Sequence, residues 1–214
     1  MDILPDPVNK INAAGETDAN GEAGPGFASI SFKSSYQTQV SKTISGRGVI
    51  ASPGSHNWEF DIKYNPLTRD EFEPVASFLE DRGGRYKPFY VILPQYSTSR
   101  DNQLSGTIQV SGSHQAGSTI ITYGGKISGD FSKGDFINFS SSDAFHVKAY
   151  KIVAIPNSSS IKISPPLARD VPNGSTIVYN NPKFRVIMKA DILEYSLDTD
   201  NLYQFALSLE EIQP

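Results

Sequence analysis

Residues 58–93 read WEFDIKYNPLTRDEFEPVASFLEDRGGRYKPFYVIL, and this stretch decides the fold. Its first seven residues alternate apolar and charged side chains, which is the period of a strand buried on one face only. We therefore expect four side chains to point into a core: Trp58, Phe60, Ile62 and Tyr64. The run from Phe89 to Leu93 is apolar on both faces, which is typical of a strand that a helix covers on one side.

An amphipathic helix is predicted between these two strands, near residues 68–82. One apolar stripe has the spacing i, i+3, i+4 and i+7: Phe72, Val75, Ala76 and Leu79. Thr68 and Asp70 are both possible N-caps, because each precedes by three residues a Glu that could complete a capping box. Pro74 disturbs the helix less if Asp70 is the cap, so the choice between them stays open. Gly83 and Gly84 predict the C-terminal end.

Composition favours a β-rich chain made in the cytoplasm. The 214 residues include 17 Gly and 14 Pro, which supply turns between strands, and no Cys, which excludes disulfides and thiolate chemistry. The net charge of −4 gives no electrostatic reason to bind nucleic acid or an anionic membrane. The start lacks the pattern of a signal peptide, and no run approaches the roughly 20 apolar residues of a membrane span.

A second unit is predicted at residues 101–180. Short strands separated by turn signals indicate a small closed β barrel of the OB or SH3 type. The expected strands are 107–110, 118–123, 135–139, 146–154, 160–164 and 175–179. Long strands return at 183–189 and 202–212, so we expect the barrel to be inserted into a split outer domain of residues 27–100 and 181–214. Residues 95–105 are expected to be the linker into it.

Residues 1–26 are predicted to lack a core of their own. They are rich in Asp, Asn, Gly, Ala and Pro, with a few isolated apolar residues: Ile3, Leu4, Val8 and Ile11. Such a segment is either a disordered leader or an extended arm that becomes ordered on a neighbouring subunit. The sequence leaves both alternatives open.

The residues give little support for catalysis or metal binding. His56, His114 and His146 are far apart in the sequence and lack a metal-ligand spacing. Glu71 and Glu73 are the carboxylate pair that a cell-wall hydrolase could use, but helix capping and solvation explain them without chemistry. We expect neither an enzyme nor a bound cofactor.

Four tyrosines are candidates for binding sugar or a partner protein: Tyr86, Tyr90, Tyr96 and Tyr123. Exposed aromatic rings stack on sugars and anchor protein interfaces, although such residues more often belong to a core. These residues support an alternative function, that of a carbohydrate-binding β module.

The strand–helix–strand stretch and the later strands resemble the distal tail protein of long-tailed bacteriophages. The resemblance rests on residues 58–62, 67–72, 78–79, 83–84 and 87–94. A small β barrel that is often inserted in such proteins is similar to residues 133–139, 150–153 and 161–167. With the C-terminal strand, the likeness covers most of residues 27–212.

The resemblance implies a mainly β protein, with a tail-tube-like sandwich or barrel, one flanking helix and the inserted barrel. It implies a virion structural protein at the tail tip. Its subunits would form a ring, commonly a hexamer, that joins the tail tube protein to the tail hub protein. The inserted barrel would face outward and carry adhesins or meet host saccharide. No catalytic residue comes with the likeness, and the leader would become an arm exchanged between ring subunits.

Overall fold

The computed structural model describes residues 2–51, 56–125, 128–140 and 147–213. They form two compact units, one built from residues up to 91 and from 185–212, the other mainly from residues 92–184. The fold class is confirmed: the chain is mainly β, with one α-helix among the described residues and a closed six-stranded barrel. The strands in chain order are β1 (Lys10–Ile11), β2 (Glu22–Ala23), β3 (Phe27–Tyr36), β4 (Gln39–Lys42), β5 (Gly48–Ala51), β6 (His56–Tyr64), β7 (Phe89–Ile92), β8 (Ile108–Val110), β9 (Ile120–Gly125), β10 (Phe136–Ser140), β11 (Tyr150–Asn157), β12 (Ser160–Ser164), β13 (Thr176–Val178), β14 (Lys183–Met188), β15 (Tyr195–Leu197) and β16 (Tyr203–Glu211). The α-helix, α1, spans Arg69–Arg82, and a short 3-10 helix spans Pro94–Tyr96.

The first unit is built on one sheet with the strand order β3-β6-β16-β14-β7, and β15 pairs with the start of β16. The alternation in β6 is confirmed, because its four apolar side chains are buried and the residues between them face outward. The last strand behaves similarly: Phe205, Leu207 and Leu209 are buried. Its next inward position is occupied by Glu211, since the two-residue period continues to the strand end.

Helix α1 covers part of this sheet with the predicted apolar stripe. All four predicted stripe residues are buried, and Phe78 is buried beside them. Phe78 lies edge-on to Phe89 of β7, and Phe72 stacks on Tyr203 of β16 with 4.5 Å between ring centroids. The helix therefore packs both on β7, which follows it in the chain, and on the distant strand β16.

Thr68 is the N-cap of α1, which settles the choice that the sequence left open. Its backbone N–H donates to the Glu71 carboxylate at 2.9 Å, and its hydroxyl donates to the same oxygen at 2.8 Å. Pro74 lies inside the helix and is buried. Gly83 ends the helix in the left-handed conformation, with φ 61°, as a C-cap glycine does.

We expect Thr68→Ala to lower the free energy of unfolding by about 1 kcal/mol, because the variant loses the capping side chain. Urea unfolding followed by tryptophan fluorescence measures this loss. Thr38→Ala is the matched control, since Thr38 is exposed and outside any helix. Equal losses in the two variants would contradict the capping role.

The second unit contains the closed barrel, in the strand order β10-β11-β12-β9-β8-β13. Each predicted strand has a counterpart, although β11 begins at Tyr150 rather than at 146, a position outside the described residues. The barrel interior is filled by its own apolar residues, among them Ile121, Ile137 and Ile161. The unit therefore has an independent core.

The boundaries of this unit differ from the predicted 101–180. Residues 95–105, expected to be a linker, belong to the barrel unit: Leu104 lies in its core, and the Ser99 hydroxyl donates to the Asp135 carboxylate. The unit extends from 92 to 184. A linker was predicted because this stretch is polar, but its polar groups form hydrogen bonds within the folded unit.

Residues 2–26 also differ from the prediction, because their start pairs with the first unit. The Leu4 N–H donates to the Tyr90 carbonyl at 2.8 Å, and the Tyr90 N–H donates to the Asp2 carbonyl at 2.9 Å. Ile3 forms a parallel bridge with Tyr90. This short segment thus continues the sheet beyond β7.

The side chains of the segment complete that packing. Ile3, Leu4 and Ile11 are buried, whereas Val8 is exposed. The start of the segment is ordered against its own sheet, unlike a disordered leader. The reason is that the outer edge of β7 offers unpaired backbone groups and an apolar surface within reach of the chain itself. Exchange of this arm between subunits stays a prediction.

Candidate functional site

The described histidines that were considered for metal binding each have a local hydrogen-bond partner. His56 is buried and hydrogen-bonds the Ser34 hydroxyl, while His114 contacts the Thr122 hydroxyl at 3.0 Å; His146 lies outside the described residues. Among the described residues, no group of three or more His, Cys, Asp or Glu side chains could hold a metal ion.

The two glutamates considered for hydrolysis have structural partners. Glu71 completes the N-terminal cap, and hydrogen bonds from the Thr68 backbone and hydroxyl lower the pKa of its carboxyl. Glu73 accepts from the Arg69 guanidinium at 3.2 Å, one helical turn away. Both are exposed on the helix surface.

The four candidate tyrosines occupy different environments. Tyr86 is exposed after the helix, and Tyr90 is half-buried in β7. Tyr96 lies edge-on to Phe136, with 4.7 Å between ring centroids, and Tyr123 is buried in the barrel core. Tyr123 is therefore inaccessible to a sugar. The structure does not bring these rings into one platform.

A row of charged side chains covers the polar face of the first sheet. Lys33 of β3 pairs with Asp61 of β6, and hydrogen bonds from Lys33 and from the Ser208 hydroxyl lower the pKa of Asp61. Lys189 pairs with Glu59 in the same way. Each carboxylate has a partner, so this face is suited to contact with water rather than to acid–base chemistry.

A β-hairpin with exposed apolar side chains is the most unusual surface of the first unit. β4 and β5 pair with each other, and every residue of both strands is exposed. The turn includes Gly46 at φ 81°. Four aliphatic side chains are exposed on it: Val40, Ile44, Val49 and Ile50. We call residues 39–51 the hairpin.

Strand β3 is an open edge of the sheet in the part of the chain that the structure describes. Its partner is β6, and it is the first strand in the sheet order. Phe27, Ile30 and Phe32 lie opposite the buried residues of β6, yet each remains partly exposed. An open ten-residue strand with a half-covered apolar face is a place where another chain can pair or pack.

A second surface with exposed apolar residues follows β14. Residues 190–200, which we call the acidic segment, carry four carboxylates and no basic residue. Ile192, Tyr195 and Leu197 are exposed within it. The Arg85 N–H donates to the Asp191 carboxylate at 2.9 Å, and this hydrogen bond anchors the start of the segment beside the end of α1.

Two depressions flank the acidic segment. The larger, of about 450 Å³, lies where β15 meets β16 and β6, and its lining includes Lys63, Tyr64, Tyr195 and Phe205. Burial raises the pKa of Tyr64, so its phenol stays neutral there. The smaller, of about 170 Å³, includes Ile192 in its lining. The walls of the larger depression are mostly apolar, those of the smaller are polar and apolar in equal measure, and Glu194 lines both.

Sequence reasoning missed both the hairpin as a surface and the acidic segment. A signal for the hairpin was present, because aliphatic residues flank Gly46 and Gly48 on both sides. The acidic segment had a weaker signal: four carboxylates interspersed with Ile192, Leu193, Tyr195 and Leu197.

Comparison with known proteins adds no relative: no protein-family model matches the chain, and no curated protein matches it. Within the described residues, no helix is both long and apolar enough to cross a membrane.

Proposed function

We propose that this chain is a structural subunit that assembles into a ring at the distal end of a phage tail, joining the tail tube to the hub. The observation that carries the proposal is the open edge of β3 together with the exposed apolar hairpin that follows it. The resemblance of residues 58–94 to distal tail proteins is the reason for proposing that the ring lies at the tip of a phage tail.

Exposed apolar surface is costly for a protein that stays single, because the largest apolar patches of soluble monomers are small and are often functional. Here four aliphatic residues are exposed on one hairpin. Open strand edges are usually blunted by charge, proline or a covering segment. Residues 2–4 cover the β7 edge of this sheet, whereas β3 has no such cover among the described residues.

This asymmetry supports a ring rather than a closed pair. A two-fold pair uses the same surface on both subunits, whereas a ring requires two different surfaces that meet head to tail. The sheet has two different edges, one covered and one open. The resemblance to distal tail proteins implies that the barrel faces outward, where it would carry adhesins or meet host saccharide.

The native mass of the purified chain tests the proposal, with negative-stain images of the same sample. We expect closed rings of about six copies. A single-subunit mass at every concentration up to the solubility limit would contradict self-assembly. The four tyrosines provide no observation in favour of the carbohydrate-binding alternative, and a blank glycan array for the full chain would count further against it.

A further inference from the structure

We infer that neighbouring copies of this chain meet through the hairpin of one copy and the acidic segment of the next. The inference rests on the proposed ring and names the contact that builds it. It comes from three properties of the two surfaces: their apolar side chains, their charges and their positions on the sheet.

Both surfaces expose aliphatic side chains that a contact would bury. The hairpin offers Val40, Ile44 and Ile50, and the acidic segment offers Ile192 and Leu197. Burial of such side chains is the main favourable contribution to association. The two depressions beside the acidic segment, of about 450 and 170 Å³, give space for protruding aliphatic side chains.

The charges of the two surfaces are opposite. The hairpin carries Lys42 and Arg47 and no carboxylate, whereas the acidic segment carries four carboxylates and no cation. Within the part of the chain that the structure describes, neither Lys42 nor Arg47 has an ion-pair partner, and the same holds for Glu194 and Asp200. Complementary charges steer association and select the correct partner surface.

The two surfaces lie at opposite ends of strand β6, so they cannot meet within one copy. The hairpin follows the end where Tyr36 pairs with His56. The acidic segment includes β15, which pairs with β16 beside the point where Ala206 lies opposite Lys63. From His56 to Lys63 the strand rises by about 23 Å at its usual 3.3 Å per residue. A contact between the surfaces therefore joins two copies head to tail, as a ring requires.

Cysteine cross-linking tests this contact against a clean background, since the chain has no native cysteine. The double variant Ile44→Cys/Leu197→Cys places one thiol on each surface. With copper phenanthroline as oxidant, we expect a ladder of disulfide-linked oligomers on a non-reducing gel, ending at the ring size. A disulfide within one copy is excluded because it needs Cα atoms less than about 7 Å apart.

The matched control is Ile44→Cys/Val153→Cys, in which the second thiol stands at an exposed aliphatic residue of the barrel strand β11. We expect no ladder beyond dimers from this control. Equal ladders from both double variants would overturn the inference. So would a gel on which oxidised Ile44→Cys/Leu197→Cys runs only as single chains while the wild-type protein forms rings.

Mixing two disabled variants tests which surfaces meet. Ile44→Asp replaces an exposed aliphatic side chain of the hairpin with a carboxylate, and Ile192→Asp does the same in the acidic segment. Because both positions are exposed, we expect both variants to fold, and circular dichroism checks this. We expect each variant alone to have the mass of one subunit. An equimolar mixture is expected to double that mass and go no further, because one intact hairpin then finds one intact acidic segment.

The outcomes separate this inference from the proposed function. Rings formed by either variant alone would overturn the contact and leave the ring standing. The contact would also be overturned if both variants are single subunits and do not pair on mixing, because an intact hairpin would then fail to bind an intact acidic segment. A wild-type protein that never assembles would remove the ring itself.

Discussion

Leu4→Ala is expected to lower the free energy of unfolding of the first unit by about 2–5 kcal/mol, the usual cost of emptying a buried leucine site. The Leu4 side chain is 1 % exposed, and its backbone N–H donates to the Tyr90 carbonyl. Urea unfolding followed by the fluorescence of Trp58, the single tryptophan of the chain, measures the loss in the unit where Leu4 lies.

Val8→Ala is the matched control from the same segment, since Val8 is 81 % exposed. We expect it to change the free energy of unfolding by less than about 0.5 kcal/mol. The pair of variants also distinguishes two roles of residues 2–26. If the segment were an arm exchanged between subunits, Leu4→Ala would weaken assembly and leave the unfolding of the isolated subunit unchanged. That result would contradict the packing described above.

The sequence predicted the elements whose pattern is local. Strand β6 and helix α1 each bury one regular stripe, so periods of two and 3.6 residues identified both. The barrel strands were found because short apolar runs alternate with Gly, Pro and Asn turns. In each case the residues that decide the structure are neighbours in the chain.

The features that the sequence did not predict depend on distant partners. The Leu4 N–H bonds the Tyr90 carbonyl, and within residues 95–105 the Ser99 hydroxyl bonds the Asp135 carboxylate. The polar composition of both segments favoured an irregular or linking structure, because the residues they bond to are far away in the sequence.

The candidate site was missed for a related reason. Tyr86 and Tyr123 look alike in the sequence, yet one is exposed and the other lies inside the barrel. The hairpin and the acidic segment are complementary only when two copies are considered. A single sequence, read along one chain, contains their charges and apolar residues but not the geometry that places them at opposite ends of β6.

Ile121→Ala is expected to cost the barrel about 2–5 kcal/mol, while Ile120→Ala costs less than about 0.5 kcal/mol. The two isoleucines are adjacent in β9, but Ile121 is 0 % exposed and Ile120 is 50 % exposed, because successive side chains of a strand point to opposite faces. Hydrogen exchange of barrel peptides measures the difference directly.

The same pair of variants separates the barrel from the proposed assembly. The barrel core is formed by residues of the second unit, whereas the hairpin, β3 and the acidic segment all belong to the first. We therefore expect Ile121→Ala to remove exchange protection from barrel peptides while the native mass and the unfolding of the first unit stay unchanged. A ring that dissociates in Ile121→Ala but not in Ile120→Ala would mean that the folded barrel contributes to the contacts between subunits.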